Sequence, residues 1–347
     1  MGQVTYVGLD VHKKSITAAV GTVRTKPRIL KVRNTPKGWD HLAEKLKGTE
    51  IQAVYEASSC GFEVYDEMTA RGWRVEVVAP SHLAKSVKGW KTKTDARDAE
   101  DLWGRLVAAQ EVGAPLPRVW IPPVELREDR ELVRRRLALG DRVSQVKTSI
   151  LSLLQIQKIR RPEELKTKWS KTHVAWLKAW CGPESRLAAP VKEALGSQLR
   201  ELDFLLEEQG RLQDQVEAMA AEPRYEAQVK ELTKVPGVAG LTALTFLTEL
   251  GDVRRFGNRR QVASYLGLSP SSYESGEATD RKGHITHMGP GRIRKVLNQA
   301  AWCGVRIRPE VRAHFAQLAK RRGAKKALVA EMRRLGIELW HRAMAVA

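Results

Sequence analysis

The chain has 347 residues and carries 60 lysines and arginines against 40 aspartates and glutamates, a formal net charge of +20 that calls for a polyanionic partner, nucleic acid first. No apolar run reaches the length of a spanning helix and the N-terminus lacks a charged-then-apolar signal, so no membrane partner and a cytoplasmic, DNA-accessible location are expected. The cysteines, Cys60, Cys181 and Cys303, are far apart and form no C-x-x-C pair, which argues against a structural zinc site or a disulfide framework.

From Thr5 to Val78 short β-rich runs alternate with helical stretches. Strands are predicted over residues 6–9, 16–20, 28–32, 52–55 and 74–78, and helices over 38–47 and 62–71, which together make an α/β layer on a mixed sheet. A basic segment follows over 80–93, and Thr94 is the expected N-cap of an amphipathic helix running to about Gln110. Four prolines between Gly113 and Pro123 mark a linker or an irregular crossing.

Beyond the prolines the pattern changes. A long helix over 124–159 carries Val143, Val146, Ile150 and Leu153 at spacings of three and four, and a second repeats this with Leu202, Leu205, Gln209, Leu212, Val216 and Met219. The pair reads as an antiparallel or dimeric coiled coil, interrupted by a Trp-rich piece (Trp169, Trp176, Trp180) and a turn at Gly182-Pro183. From Leu232 the chain is helical and glycine-punctuated up to an expected loop over 269–291, then helical to the end.

Four acids stand where a metal site needs them. Asp10 ends the first strand and Glu56 ends the strand Ala53-Val54-Tyr55, so both emerge from one edge of the sheet if those strands are neighbours. Asp95 and Asp98, three apart after Thr94, share one helical face. Carboxylates gathered in this way repel one another unless a cation compensates them, and hard oxygen donors favour Mg2+ or Mn2+. Taken singly, each has a duller role as a turn former, a helix-start charge or an ion-pair partner, with Glu100 and Asp101 as decoys on the same helix.

The segments Gly8-Leu9-Asp10-Val11-His12-Lys13, Tyr55-Glu56-Ala57 and Lys93-Thr94-Asp95-Ala96-Arg97-Asp98-Ala99 resemble the signatures of the DEDD insertion-sequence transposases of the insertion sequence 110 family. The resemblance implies an RNase H-like, RuvC-like N-terminal domain in which Asp10, Glu56, Asp95 and Asp98 bind divalent metal. In the C-terminal part, the stretch from Leu232 through Pro236-Gly237-Val238-Ala239-Gly240 to Ala243 suggests two helices about a tight glycine hairpin, able to hold a phosphate on backbone amides near Gly237 or simply to make a packing corner. The motifs around Glu249-Leu250-Gly251-Asp252, Tyr265-Leu266-Gly267-Leu268, Glu274-Ser275-Gly276, Arg281-Lys282-Gly283 and Arg292-Ile293-Arg294-Lys295 are similar to the same family's C-terminal transposase domain. Departures fall at Ala239, His287 and Pro290. The serine before Gly276 matches the family's nucleophile, which implies catalysis by Ser275 through a covalent serine-DNA link, with Ser271 and Ser272 as close rivals and an ordinary Ser-Gly turn as the plain reading.

Nucleic-acid contacts are expected at Lys88, Trp90, Lys91 and Lys93, where lysines surround an aromatic ring, and at Gly237, Arg281, Lys282, Arg292 and Arg294. Further positive runs lie at Arg134 to Arg136, over 166–171 and over 320–326. The expected fold class is α/β plus all-α: a RuvC-like catalytic domain over 1–112, a linker and coiled-coil oligomerisation region over 113–230, and a helical C-terminal domain with a helix-hairpin-helix-like element over 231–347. The resemblance further implies donor and target DNA and a structured bridge RNA as partners, a homo-oligomer (dimer or tetramer) with a composite active site, and a prokaryotic, nucleoid-associated location. Two other readings remain open: a metal-dependent, structure-specific endonuclease in which water attacks, and a non-enzymatic nucleic-acid-binding protein.

Overall fold

A computed structural model describes residues 4–83, 94–275 and 278–347, and for 272–275 and 278–282 the backbone alone. The chain divides into two compact units, Met1–Pro122 and Pro123–Ala347.

The N-terminal unit is a five-stranded mixed sheet. Strands β1 (Val4–Val11), β2 (Ser15–Gly21) and β3 (Arg28–Arg33) form an antiparallel meander. After helix α1 (Pro36–Lys45), β4 (Glu50–Glu56) returns parallel to β1, and after α2 (Glu63–Ala70), β5 (Arg74–Val78) adds parallel to β4, giving the order β3-β2-β1-β4-β5. Helix α3 (Asp95–Glu111) completes the unit. Thr94 is its N-cap, accepting a hydrogen bond from the Arg97 amide, as the sequence predicts.

Strand alternation sorts the core into two faces. Val7, Leu9, Ala53 and Tyr55 pack with Trp39 and Leu42 of α1 and Val64 and Met68 of α2. On the other face Tyr6 and Val54 pack with Leu102 and Leu106 of α3. The proline-rich segment after α3 is no free linker. Val119 N donates to Val77 O at 2.7 Å, Ala79 N donates to Pro117 O at 3.0 Å, and Val119 and Ile121 cover part of the first core. Four prolines remove amide donors, so the segment extends the sheet by a single bridge, Val78 to Arg118, rather than by a strand.

The second unit is helical. Two long helices, α4 (Val124–Ile156) and α6 (Ala189–Ala220), pack against one another with the short α5 (Lys171–Ala179) beside them. The predicted seam is buried within the one chain: Val143, Val146 and Ile150 meet Leu195, Leu199, Leu202 and Leu205. His173 fills the interior between the rings of Trp169 and Trp176. The N-terminal end of α4 (Val133, Leu137) and the C-terminal end of α6 (Val216, Met219) belong instead to a second core, made with α7 (Glu226–Leu232), α8 (Gly240–Leu250), α9 (Arg259–Tyr265), α10 (Gly291–Ile307), α11 (Pro309–Arg322) and α12 (Ala324–Met344). The connector expected over 113–230 and the domain expected from 231 therefore fall largely within one unit, because the same two helices furnish both cores. Helix α8 is buried from Ala243 to Leu250, its polar Thr245, Thr248 and Glu249 included, and is the central element of that second core.

The stretch 269–291, expected as a loop, holds an antiparallel hairpin of β6 (Pro270–Ser275) and β7 (Ala278–Ile285). Its residues are polar and two breaks in register interrupt the pairing, so it carries little of the alternation by which strands are recognised.

Candidate active site

The sheet brings the first two acids together as the sequence requires. Leu9 pairs with Tyr55 across parallel strands, so Asp10 and Glu56 follow side by side at the same end of β1 and β4. By alternation Asp10 lies on the face of Tyr6 and Gly8, and Glu56 on the face of Val54, which is the face that α3 covers. Gly8 sets how closely α3 lies: a Cβ there would stand 2.2 Å from the Ala99 carbonyl oxygen and 2.3 Å from the Trp103 amide nitrogen. Any side chain at position 8 would hold the helix off the strand, and the first turn of that helix carries Asp95 and Asp98.

The resulting cluster contains a residue to which the sequence assigned no role. His12 Nε2 lies 3.2 Å from Asp10 Oδ2 and 3.5 Å from Asp95 Oδ1. Donor atoms of Asp10, His12 and Asp95 all fall within 4.8 Å of one another, a set able to hold a metal ion. Glu56 is exposed and Asp98 half-buried, and neither belongs to that tight set. Burial pushes the Asp10 carboxyl above the usual carboxylate range; His12 opposes the shift, while the negative charges of Asp95 and Asp98 add to it. A site where burial and neighbouring acids disfavour ionisation is one that a divalent cation would relieve, and the donor set suits such an ion.

In the second unit Gly237 has φ +91° and a Cβ on it would come 2.7 Å from Cys303 Cβ, so glycine is needed to turn the chain between α7 and α8 against α10. Ser275 is the last residue of β6, paired with Ala278 across the hairpin tip. Its rival Ser271 donates its hydroxyl to the His284 carbonyl at 3.0 Å and is engaged within the hairpin. The side chain of its other rival, Ser272, lies outside the described residues. Lys88, Trp90, Lys91 and Lys93 lie outside the described residues, as do the side chains of Ser275, Arg281 and Lys282.

Comparison with known proteins assigns the chain. The profile of the "Transposase IS116/IS110/IS902 family" matches residues 229–316, the region from α7 through the hairpin and α10 into α11. Over 306 residues the chain is 30% identical to "Putative transposase y4qE" of Sinorhizobium fredii, covering 86% of this chain and 71% of that one. The chain belongs to the IS116/IS110/IS902 transposase family. It is also 25% identical over 308 residues to the transposase for insertion sequence element IS1533 of Leptospira borgpetersenii, covering 87% and 86% of the two chains. The likeness extends to the pilin gene-inverting protein of Moraxella lacunata, 22% identical over 303 residues, with 84% and 80% covered.

The transposase keeps part of its positive charge for its own architecture. Arg130 is buried and donates to the Thr248 and Glu249 carbonyls at 2.7 and 3.2 Å, satisfying the C-terminal end of α8. Arg134 pairs through two nitrogens with the buried Glu249 carboxylate, at 2.7 and 3.0 Å, and Arg136 donates to Gln213. Of the run expected as positive surface, Arg135 alone is exposed. Arg294 reaches the Leu266 and Gly289 carbonyls, each at 3.2 Å, and ties the α9 end to the segment before α10. Arg292 on the same helix is exposed. Among the described residues no helix is long and apolar enough to cross a membrane.

Proposed function

We propose that this transposase cuts and rejoins DNA at a centre in which Asp10, Glu56, Asp95 and Asp98 hold Mg2+ or Mn2+, with Ser275 as the nucleophile. The observation that carries the reading is the convergence of Asp10 and Asp95 from strand and helix at the sheet end where Glu56 also emerges. An antiparallel three-strand meander followed by two parallel strands supports a RuvC-like, RNase H-like assignment for the N-terminal unit. Divalent ions bound there would lower the proton affinity of the attacking hydroxyl and stabilise the departing oxygen.

In the first step the Ser275 hydroxyl gives up its proton and its oxygen bonds to phosphorus. The bond from phosphorus to a deoxyribose oxygen breaks, and that oxygen leaves as a hydroxyl after taking a proton. In the second step a strand-end hydroxyl attacks the phosphoserine, which restores both a phosphodiester and the free serine. The energy of the first bond is thus conserved, and rejoining needs no nucleotide cofactor. Likeness to a protein named for inverting a pilin gene supports rejoining over cutting alone, because inversion reseals what it cuts. A structured bridge RNA is the proposed guide, consistent with a net charge of +20 and with sequence readout by pairing rather than by side chains. Assembly as a dimer or tetramer, with one subunit's carboxylates serving another's serine, belongs to the same proposal. The exposed Phe204 and Ile156 of the α4–α6 pair are available for contacts between subunits.

Trapping reactions on a cognate DNA tests the scheme. A protein–DNA adduct should map by mass spectrometry to the peptide holding Ser275, vanish in Ser275→Ala and persist in Ser271→Ala. Normal recombination by Ser275→Ala would overturn the covalent route and leave water as the attacking group.

A further inference from the structure

His12 stands outside the four-carboxylate scheme, yet its ring lies within ion-pair distance of both Asp10 and Asp95. Its Nε2 lies 3.2 Å from one carboxylate oxygen and 3.5 Å from the other. Two donors bound side by side on one ion, at bond lengths of about 2.1 Å, stand roughly 3 Å apart. The imidazole nitrogen is therefore spaced from each oxygen much as neighbouring donors in a single coordination shell are, and all three donors lie within 4.8 Å of one another. The ring is also well placed by its backbone: His12 N donates to Ser15 O at 2.9 Å and Asn34 Nδ2 donates to His12 O at 3.1 Å, which fixes the β1–β2 turn that presents it. About half of the side chain remains open to solvent, leaving room for an ion and its waters on that side.

We propose that His12 is a nitrogen ligand of this centre and that it biases the site towards Mn2+ over Mg2+. The proposal rests on the metal reading given under Proposed function. Carboxylate oxygens alone suit Mg2+ and Mn2+ alike, whereas imidazole is a donor that transition ions accept and Mg2+ takes poorly. One nitrogen in the shell raises affinity for Mn2+ while leaving that for Mg2+ little changed. If His12 instead only paired with Asp10 and Asp95, it would make no bond to the ion, and its loss would change both affinities by a similar factor.

The test uses the full-length protein, with Mn2+ and Mg2+ themselves as probes. Mn2+ binding is read from loss of the free-ion EPR signal, Mg2+ binding by competition, and the ligand from nitrogen modulation in the electron spin echo of bound Mn2+. The wild type should show a directly coordinated imidazole nitrogen. His12→Gln should lose that modulation and weaken Mn2+ at least about tenfold more than Mg2+, since even outer partners of a ligand are worth that much. His12→Asp, which returns a charged oxygen donor, should bind Mg2+ at least as tightly as the wild type and show no nitrogen signal. Circular dichroism establishes that each variant is folded, and an unfolded His12→Gln passes the decision to the wild-type and His12→Asp echo spectra. Nitrogen modulation that survives in His12→Gln, or its absence from a wild type whose Mn2+ is lost in Asp10→Asn, overturns the His12 assignment and leaves the carboxylate site standing. Mn2+ binding that is indifferent to Asp10→Asn overturns the metal centre itself.

Discussion

Gly8→Ala adds one methyl group where β1 and α3 touch backbone to backbone. The new Cβ would meet the Ala99 oxygen at 2.2 Å and the Trp103 nitrogen at 2.3 Å, and neither atom can turn aside as a side chain would. Relief requires α3 to withdraw by roughly 1 Å or β1 to bend, and overpacking of this kind costs about 1–3 kcal/mol. With only backbone to yield, the upper end applies, so the N-terminal unit should melt roughly 10 °C lower. The same withdrawal moves Asp95 and Asp98 away from Asp10, and a displacement near 1 Å at a reacting centre costs on the order of 100-fold in rate. Differential scanning calorimetry and a strand-cleavage assay measure the two effects. Gly104→Ala in the same helix is the control: its Cβ would meet nothing within 4 Å, and removing a helical glycine should be neutral or stabilising by up to about 1 kcal/mol. Wild-type melting and cleavage in Gly8→Ala would refute the argument that this glycine sets the spacing of the acids.

Asp10→Asn, Glu56→Gln and Asp95→Asn should each lower cleavage at least about 100-fold while leaving nucleic-acid binding near its original affinity, because shape is kept and only ligand charge is lost; gel-shift and cleavage assays separate the two. In chelator, Asp10→Asn should also raise the melting temperature at neutral pH. The folded carboxyl ionises above its unfolded value, so its contribution is present below the unfolded pKa and is lost as pH rises through the folded one; the variant's advantage should disappear in acid. Arg134→Met should cost about 3 kcal/mol in denaturant unfolding, since it strands the buried Glu249 carboxylate, and a loss below 1 kcal/mol would show that Glu249 finds another partner. Arg292→Ala should reduce the salt slope of DNA binding by about 1 without lowering stability, whereas Arg294→Ala should lower stability by releasing the Leu266 and Gly289 carbonyls.

The layout of the N-terminal unit was legible in the sequence because its strands are short, β-branched runs and its helices have marked starts. Adjacency of Asp10 and Glu56 followed as soon as β1 and β4 were neighbours in register. His12 was not legible as part of the site, since a turn residue's direction depends on the hairpin that follows it, and only the backbone of β1–β2 aims it at Asp95. The charge run Arg134 to Arg136 hid a different role: Arg134 pairs with Glu249 of α8 and Arg136 with Gln213 of α6, long-range contacts that no local pattern encodes. The hairpin around Ser275 escaped because its sequence is largely polar and its pairing is broken twice in register, which leaves little apolar alternation to read. The motif serine could be found by resemblance alone.

Helices α4 and α6 each place one end in the apolar cluster beside α5 and the other in the cluster around α8. A helix shared in this way leaves no seam at which one cluster can melt while the other persists, because unwinding either end exposes leucines along the same continuous hydrogen-bonded rod. The amides of Leu202 and Val216 should therefore exchange with solvent through the same global opening, as one cooperative block. Damage done at the remote tip, for example Ile150→Ala, would be felt as lowered protection around Val133 and Leu244, far along the chain from the missing atoms.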